Sequence, residues 1–160
     1  MEFVRLASPV PNQQIDYARF AMQAFRKAVE AADGEAMAAC LADDVVFTSP
    51  VAFKPYPGKP ITAAILRGVL RVFEDFRYIR EINDPETNSH ALVFETTVGG
   101  KRITGCDFIH VNDEGLIDDF MVMVRPLSGA TALSEAMAAQ FPQIQAEAAE
   151  AIAALAAMEQ

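Results

Sequence analysis

Tryptophan is absent from this 160-residue sequence, and cysteine and histidine occur twice each. Two cysteines, Cys40 and Cys106, are too few for a disulfide scaffold, so the fold must rest on an apolar core. As small buried hydrophobes they suit a reducing cytosol. His90 and His110 have no clustered partners at ligand spacing, which gives no zinc or iron site. Basic residues are also scarce. Thirteen Lys and Arg stand against 22 Asp and Glu, a formal charge of −9. That balance repels nucleic acid and anionic lipid, and no basic stripe overrides it. Arg77 and Arg80 are close, but Glu74, Asp75 and Glu81 surround them. No uninterrupted apolar run reaches bilayer length, and Glu147 and Glu150 break up the Ala-rich tail. The start, Met1 to Arg5, lacks the basic segment and apolar run of a signal peptide. A cytoplasmic protein with no membrane contact is the expectation. Gly99, Gly100 and Gly105 do not lie between a strand and a helix, so there is no phosphate-binding loop, and no cofactor is expected.

What the chain does have is apolar residues, 52% of the total against 22% charged, enough to bury a core in one domain. Residues 1–12 hold Pro9 and Pro11 and read as an arm. Ile15, Ala18, Met22, Phe25 and Val29 form one stripe at helical spacing. Asp33-Gly34 breaks that helix, and Asp33 can cap a short second one carrying Met37, Cys40 and Leu41, ending near Asp43-Asp44. Val45–Thr48 reads as a short strand. The stretch from Pro50 to Pro60 holds four prolines besides Gly58 and excludes regular structure, yet it carries Val51, Phe53 and Tyr56. Ile61, Ile65, Val69, Val72 and Phe76 mark another long helix.

Strand patterns follow at 76–82, 90–98, 102–111 and 116–124, with hairpin signals at Gly99-Gly100 and Asn112–Gly115. Helical pattern resumes from Thr131, and Pro142 is expected to divide it. The order predicts an α+β fold, a curved antiparallel sheet wrapped on helices around a cavity. Residues 13–126 would form this domain and 127–160 a helical extension.

Three segments resemble the SnoaL-like branch of the nuclear-transport-factor-two-like superfamily. They are Phe25 to Phe47, ending Cys40-Leu41-Ala42-Asp43-Asp44-Val45-Val46-Phe47; Gly58 to Ile65; and Cys106 to Ile117. The resemblance covers roughly residues 12–126 and implies a cone-shaped, cystatin-like fold. It does not imply one reaction, because the fold hosts many chemistries. In the ketosteroid isomerase branch the site uses a tyrosine, an aspartate base and a protonated aspartate. By spacing those places fall on Phe25, Ser49 and Asp107, so only the third matches. In limonene-epoxide-hydrolase-like relatives an arginine precedes the pocket aspartate by two residues, and Gly105 stands there. Polyketide cyclases of this branch rely on a pocket carboxylate with few strict partners, which the sequence accommodates.

Asp107 and Ser49 are the candidate catalytic residues. Alternation places Asp107 with Ile109 and opposite Cys106 and Phe108. Among apolar walls its pKa should rise, and a neutral acid can donate to a ligand oxygen. The alternative is a carboxylate held by backbone donors or an arginine. Ser49 at the pocket mouth either contacts ligand or caps its own turn. Phe25, Phe47, Tyr56, Leu92, Phe94, Phe120, Val122 and Val124 are the candidate apolar lining. His90 reads as a solvated strand end, and His110, Glu95 and Arg125 fall on the outer face. Phe120 to Val124 is apolar on both faces, so Met121 and Met123 need cover. A homodimer through the outer sheet face supplies it; the C-terminal helix folding back over them is the rival. Three functions remain open: cofactor-free acid/base chemistry on a small apolar molecule, non-catalytic binding of such a molecule, and an interaction module using the sheet face.

Overall fold

The computed structural model describes residues 13–160, and the expected N-terminal arm lies outside the described residues. Four helices and six strands follow one another as α1 (Gln13–Glu30), α2 (Gly34–Ala39), β1 (Leu41–Thr48), β2 (Tyr56–Pro57), α3 (Lys59–Val72), β3 (Glu74–Asp84), β4 (Ser89–Val98), β5 (Lys101–Val111), β6 (Ile117–Arg125) and α4 (Leu127–Met158). The strands form one curved, unclosed sheet in the order β2-β1-β6-β5-β4-β3. This is the expected α+β architecture.

Local chemistry accounts for most boundaries. α1 buries Ala18, Met22, Phe25 and Ala28 along one stripe. Asp33 caps α2, its carboxylate accepting from the Ala36 amide at 3.0 Å. Gly99 and Gly100 both adopt positive φ, 54° and 76°, which a two-residue hairpin turn demands. The second turn is held by the Asn112 side chain, which accepts from the amides of Glu114 and Leu116.

Four boundaries depart from the sequence reading. α2 stops at Ala39 and β1 starts at Leu41, because Leu41 pairs with Ile117 of β6 and the Ile117 amide donates to the Cys40 carbonyl at 2.8 Å. That pairing is parallel, where an all-antiparallel sheet was expected. α3 ends at Val72: Phe73 is extended, and Phe76 instead begins the concave face of β3 beside Phe94. A spacing of four residues fits a helix and also, at even parity, a strand. Within the proline-rich stretch, Tyr56–Pro57 pairs with Val46 and Phe47. This two-residue pair sits at the sheet edge, where proline's missing amide does no harm. Pro142 does not divide α4, which runs on from Leu127 to Met158. Pro142 lies on the exposed side, where water can satisfy the backbone carbonyl it leaves unpaired.

α4 packs on α3 and the concave side of the sheet, burying Leu133, Ile144 and Ala148. Glu147 fastens it there, receiving Arg67 and Arg71 at 3.0 Å each. Among the described residues it therefore leaves the outer sheet face uncovered, and Met123 is 53% exposed. The rival cover for Met121 and Met123 is thereby removed. No helix among the described residues is long and apolar enough to cross a membrane.

Candidate functional site

The sheet's concave face, α1, α3 and α4 enclose a cavity of about 570 Å³. Its walls are rings and branched chains. Phe25 and Phe47 pack on Phe120 at 5.4 and 5.6 Å between centroids, and Phe76 packs on Phe94 at 5.1 Å. Alternation along each strand delivers these side chains inward. In register, Phe47 faces Phe120, and Asp107 lies between Leu92 and Val122.

Asp107 is buried in this apolar setting, with 6% of its surface exposed. Its protein hydrogen bond among the described residues comes from the Tyr78 hydroxyl, 3.2 Å from Oδ2. Burial raises its pKa to about 7, and the Tyr78 bond only partly opposes that rise. Tyr78 is itself pushed well above the usual phenol range, by burial first and then by the neighbouring Asp107. The Arg26 guanidinium, 5.2 Å from the Tyr78 ring centroid, pulls the other way. Arg26 is held over the ring by Glu30 on its own helix and by Glu81 on β3, at 3.4 and 3.5 Å.

Among the described residues no backbone donor or arginine holds the Asp107 carboxyl; a tyrosine does. Sequence reasoning missed Tyr78. It falls inside the strand read at 76–82, but register shifts on either side of it interrupt the alternation that would have given its face.

Phe25, Phe47, Tyr56, Phe94, Phe120 and Val122 line the cavity as expected. Leu92 and Val124 do not. Leu92 has the right parity but is fully buried in the main core cluster, and Val124 packs into a second cluster with Phe94, Val98, Ile103 and Leu133 beneath α4. Part of the lining comes from α4, through Leu133, Ser134, Met137 and Phe141, which no local pattern announced.

Ser49 is at the cavity, but its Oγ accepts two backbone hydrogen bonds, from Val51 at 3.1 Å and Ala52 at 3.2 Å. Those occupy the lone pairs a nucleophile or base would use, and no histidine lines the cavity.

His90 corrects another expectation. It is buried, on the concave face, bonded through Nδ1 to Asn83 at 2.6 Å, while Nε2 has no partner among the described residues. Desolvation lowers its pKa. His110, Glu95 and Arg125 are on the outer face as predicted. His110 meets Asp118, and Glu95 is held by Arg77 and Arg102. Cys40 and Cys106 are free thiols whose pKa burial raises.

A helix-backed, unclosed sheet around a cavity defines a cystatin-like, nuclear-transport-factor-two-like fold. The SnoaL-like domain family matches residues 22–120, and the chain belongs to that family. Among solved structures it is similar to a steroid delta-isomerase from Pseudomonas aeruginosa, with 38% identity and a TM-score of 0.77 over 81% of this chain and 95% of that one. It is also similar to a conserved bacterial protein with a cystatin-like fold from Silicibacter pomeroyi, at 33% identity and TM-score 0.71 over 79% and 93% of the two chains. A nuclear-transport-factor-two-like protein from Cytophaga hutchinsonii shares the fold at 18% identity, TM-score 0.54, over 68% and 90%. No curated protein matches the chain at a significant level.

Proposed function

We propose that the cavity binds a small, mainly apolar organic molecule bearing a carbonyl or hydroxyl, and that Asp107 moves a proton on it without a cofactor. The observation that carries this reading is a carboxyl buried among apolar walls, with Tyr78 as its partner and a pKa of about 7. Such a group exists in both protonation states near neutral pH, which general acid/base catalysis requires. Tyr78 fixes the carboxyl's orientation, and the rings exclude water that would otherwise compete for it. The likeness to a protein named a steroid delta-isomerase supports chemistry beside a carbonyl. The isomerase arrangement itself is not carried over, since Phe25 and Ser49 stand where the resemblance puts its tyrosine and base.

Those two replacements favour one rival, a binding protein that transforms nothing. Deuterium exchange separates the two. The protein is incubated in D2O with a neutral bicyclic ketone, trans-2-decalone, and exchange next to the carbonyl is followed by NMR. The expected result is exchange above background that Asp107→Asn reduces by about 10²-fold or more. Saturable binding with background exchange would establish the binder instead.

The bare outer face supports pairing of two copies. One register row carries Ile82, Ala91, Phe108 and Met121, and the next carries Val93, Cys106 and Met123. Phe108 is 39% and Ile82 55% exposed. Charged side chains border these rows, Arg77, Glu95 and Arg102 on one side and His110 with Asp118 on the other. An apolar centre inside a polar rim is the layout of a protein interface. Native mass spectrometry should give a dimer for the native chain and a monomer for Met123→Glu, with the fold retained by circular dichroism. A monomeric native chain would refute the pairing.

A further inference from the structure

We propose that the cavity takes a neutral, flat, apolar molecule with an acceptor oxygen at each of two ends, one received by Asp107 and the other by the hydroxyl proton of Ser49. This deepens the reading above and rests on it. Serine has two lone pairs and one proton. In Ser49 the amides of Val51 and Ala52 occupy both lone pairs, and the proton has no acceptor among the described residues. The side chain is therefore a donor and nothing else, fixed in direction by its own turn.

Its position relative to Asp107 follows from register. Thr48 pairs with Met121, and continuing that register one residue past the end of β1 sets Ser49 level with Val122, whose partner across β5 is Asp107. All three line the cavity. Two strand spacings of about 4.8 Å place the backbones of Ser49 and Asp107 about 10 Å apart, with Val122 between them. The floor is thus an apolar patch with a donor at either end. At the Asp107 end Tyr78 holds Oδ2, which leaves the other oxygen to present a proton to the ligand.

Charge sets the remaining constraint. Among the described residues no lysine, arginine or histidine lines the cavity, and its carboxylic acids are Glu30 and Asp107. A ligand carboxylate or phosphate would enter unpaired beside them, at a desolvation cost nothing repays. A ligand ammonium would leave the Ser49 proton without an acceptor.

The test uses one skeleton: trans-2-decalone, trans-decalin-2,6-dione, and the decalin 2-carboxylate and 2-amine, with binding measured by ligand-observed NMR. In the native chain the dione should bind about tenfold more tightly than the monoketone, the return of one added hydrogen bond. Carboxylate and amine should bind more weakly than the monoketone. Ser49→Ala should bring the dione-to-ketone ratio close to one. Ser49→Asp, which still accepts from both loop amides but carries no proton, should do the same. Ser49→Thr should restore the preference. A ratio that survives both Ala and Asp substitutions overturns the proposal, as does an amine or carboxylate that outbinds the ketone. If the monoketone binds and Asp107→Asn weakens it while the dione gains nothing, the Ser49 end fails and the binding reading stands. If neither ketone binds, both fail.

Discussion

Asp107→Asn is expected to stabilise the protein, by less than about 1 kcal/mol at pH 4 and by as much as about 4 kcal/mol at pH 8. The native aspartate has a folded pKa of about 7, against an ordinary value of 3.8. A folded state that holds its proton more tightly than the unfolded chain gains from that proton at low pH. The advantage is fully present below pH 3.8 and is lost as pH rises to about 7. Above that, both states are ionised, and the folded state carries the whole cost of a buried charge. The amide never ionises and escapes this cost. It still offers an oxygen to the Tyr78 hydroxyl, but its NH2 meets apolar walls, so the gain falls somewhat below the ceiling.

His90 contributes with the opposite sign. Its folded pKa is lowered by burial, so its neutral form is favoured and stability falls as pH drops below 6.5. The native pH profile is therefore flattened by two opposing groups, and the Asn variant uncovers the His90 slope. Urea unfolding of both chains from pH 4 to 9 measures the difference directly. A constant difference across that range would mean that Asp107 is solvated and ordinary. That outcome would also remove the observation on which the proposed chemistry rests.

The β4–β5 hairpin was legible from sequence because alternation and turn chemistry agree there. Leu92, Phe94 and Thr96 point one way and Glu95 the other, and Gly99-Gly100 supplies the positive φ a tight turn needs. Asp107 was legible for the same reason, its face following from Ile109 and its setting from apolar neighbours. What escaped was everything set by distant partners. Nothing in residues 41–44 announces that Leu41 pairs in parallel with Ile117. Phe76 suits the end of a helix as well as a strand, and the register shifts on either side of Tyr78 hide which face that residue takes. Leu92 shows the limit of parity: it faces inward correctly, but it is wholly buried within the main core cluster and does not reach the cavity. α4 supplies part of the lining because its apolar side chains pack on α3 and the sheet, with Glu147 paired to Arg67 and Arg71 across 80 and 76 residues of sequence.

Gly105→Ala is the second large expected effect, a loss of about 1 to 3 kcal/mol at a site where alanine would normally help. Glycine within a strand weakens it, and alanine at an ordinary φ limits the unfolded chain, so open space would make the change favourable. The space is not open. A Cβ on Gly105 would lie 2.2 Å from Phe94 Cζ and 2.7 Å from both Cε atoms. The ring cannot retreat easily, because Phe73 and Phe76 hold it at 5.7 and 5.1 Å between centroids. Either the ring is driven into the cavity it lines or β4 and β5 part locally. Phe94→Leu removes the obstructing ring, so Gly105→Ala in that background should be close to neutral. The cycle of four proteins, measured by urea unfolding, should give a coupling of about 1 to 3 kcal/mol. An equal cost in both backgrounds would show that the ring is not the cause. The same contact bears on chemistry. Gly105 is the place where the limonene-epoxide-hydrolase resemblance puts an arginine, and here Phe94 occupies that volume. An arginine could enter only by expelling the ring, so this cavity wall is built for apolar contact beside Asp107 rather than for a charged partner to it.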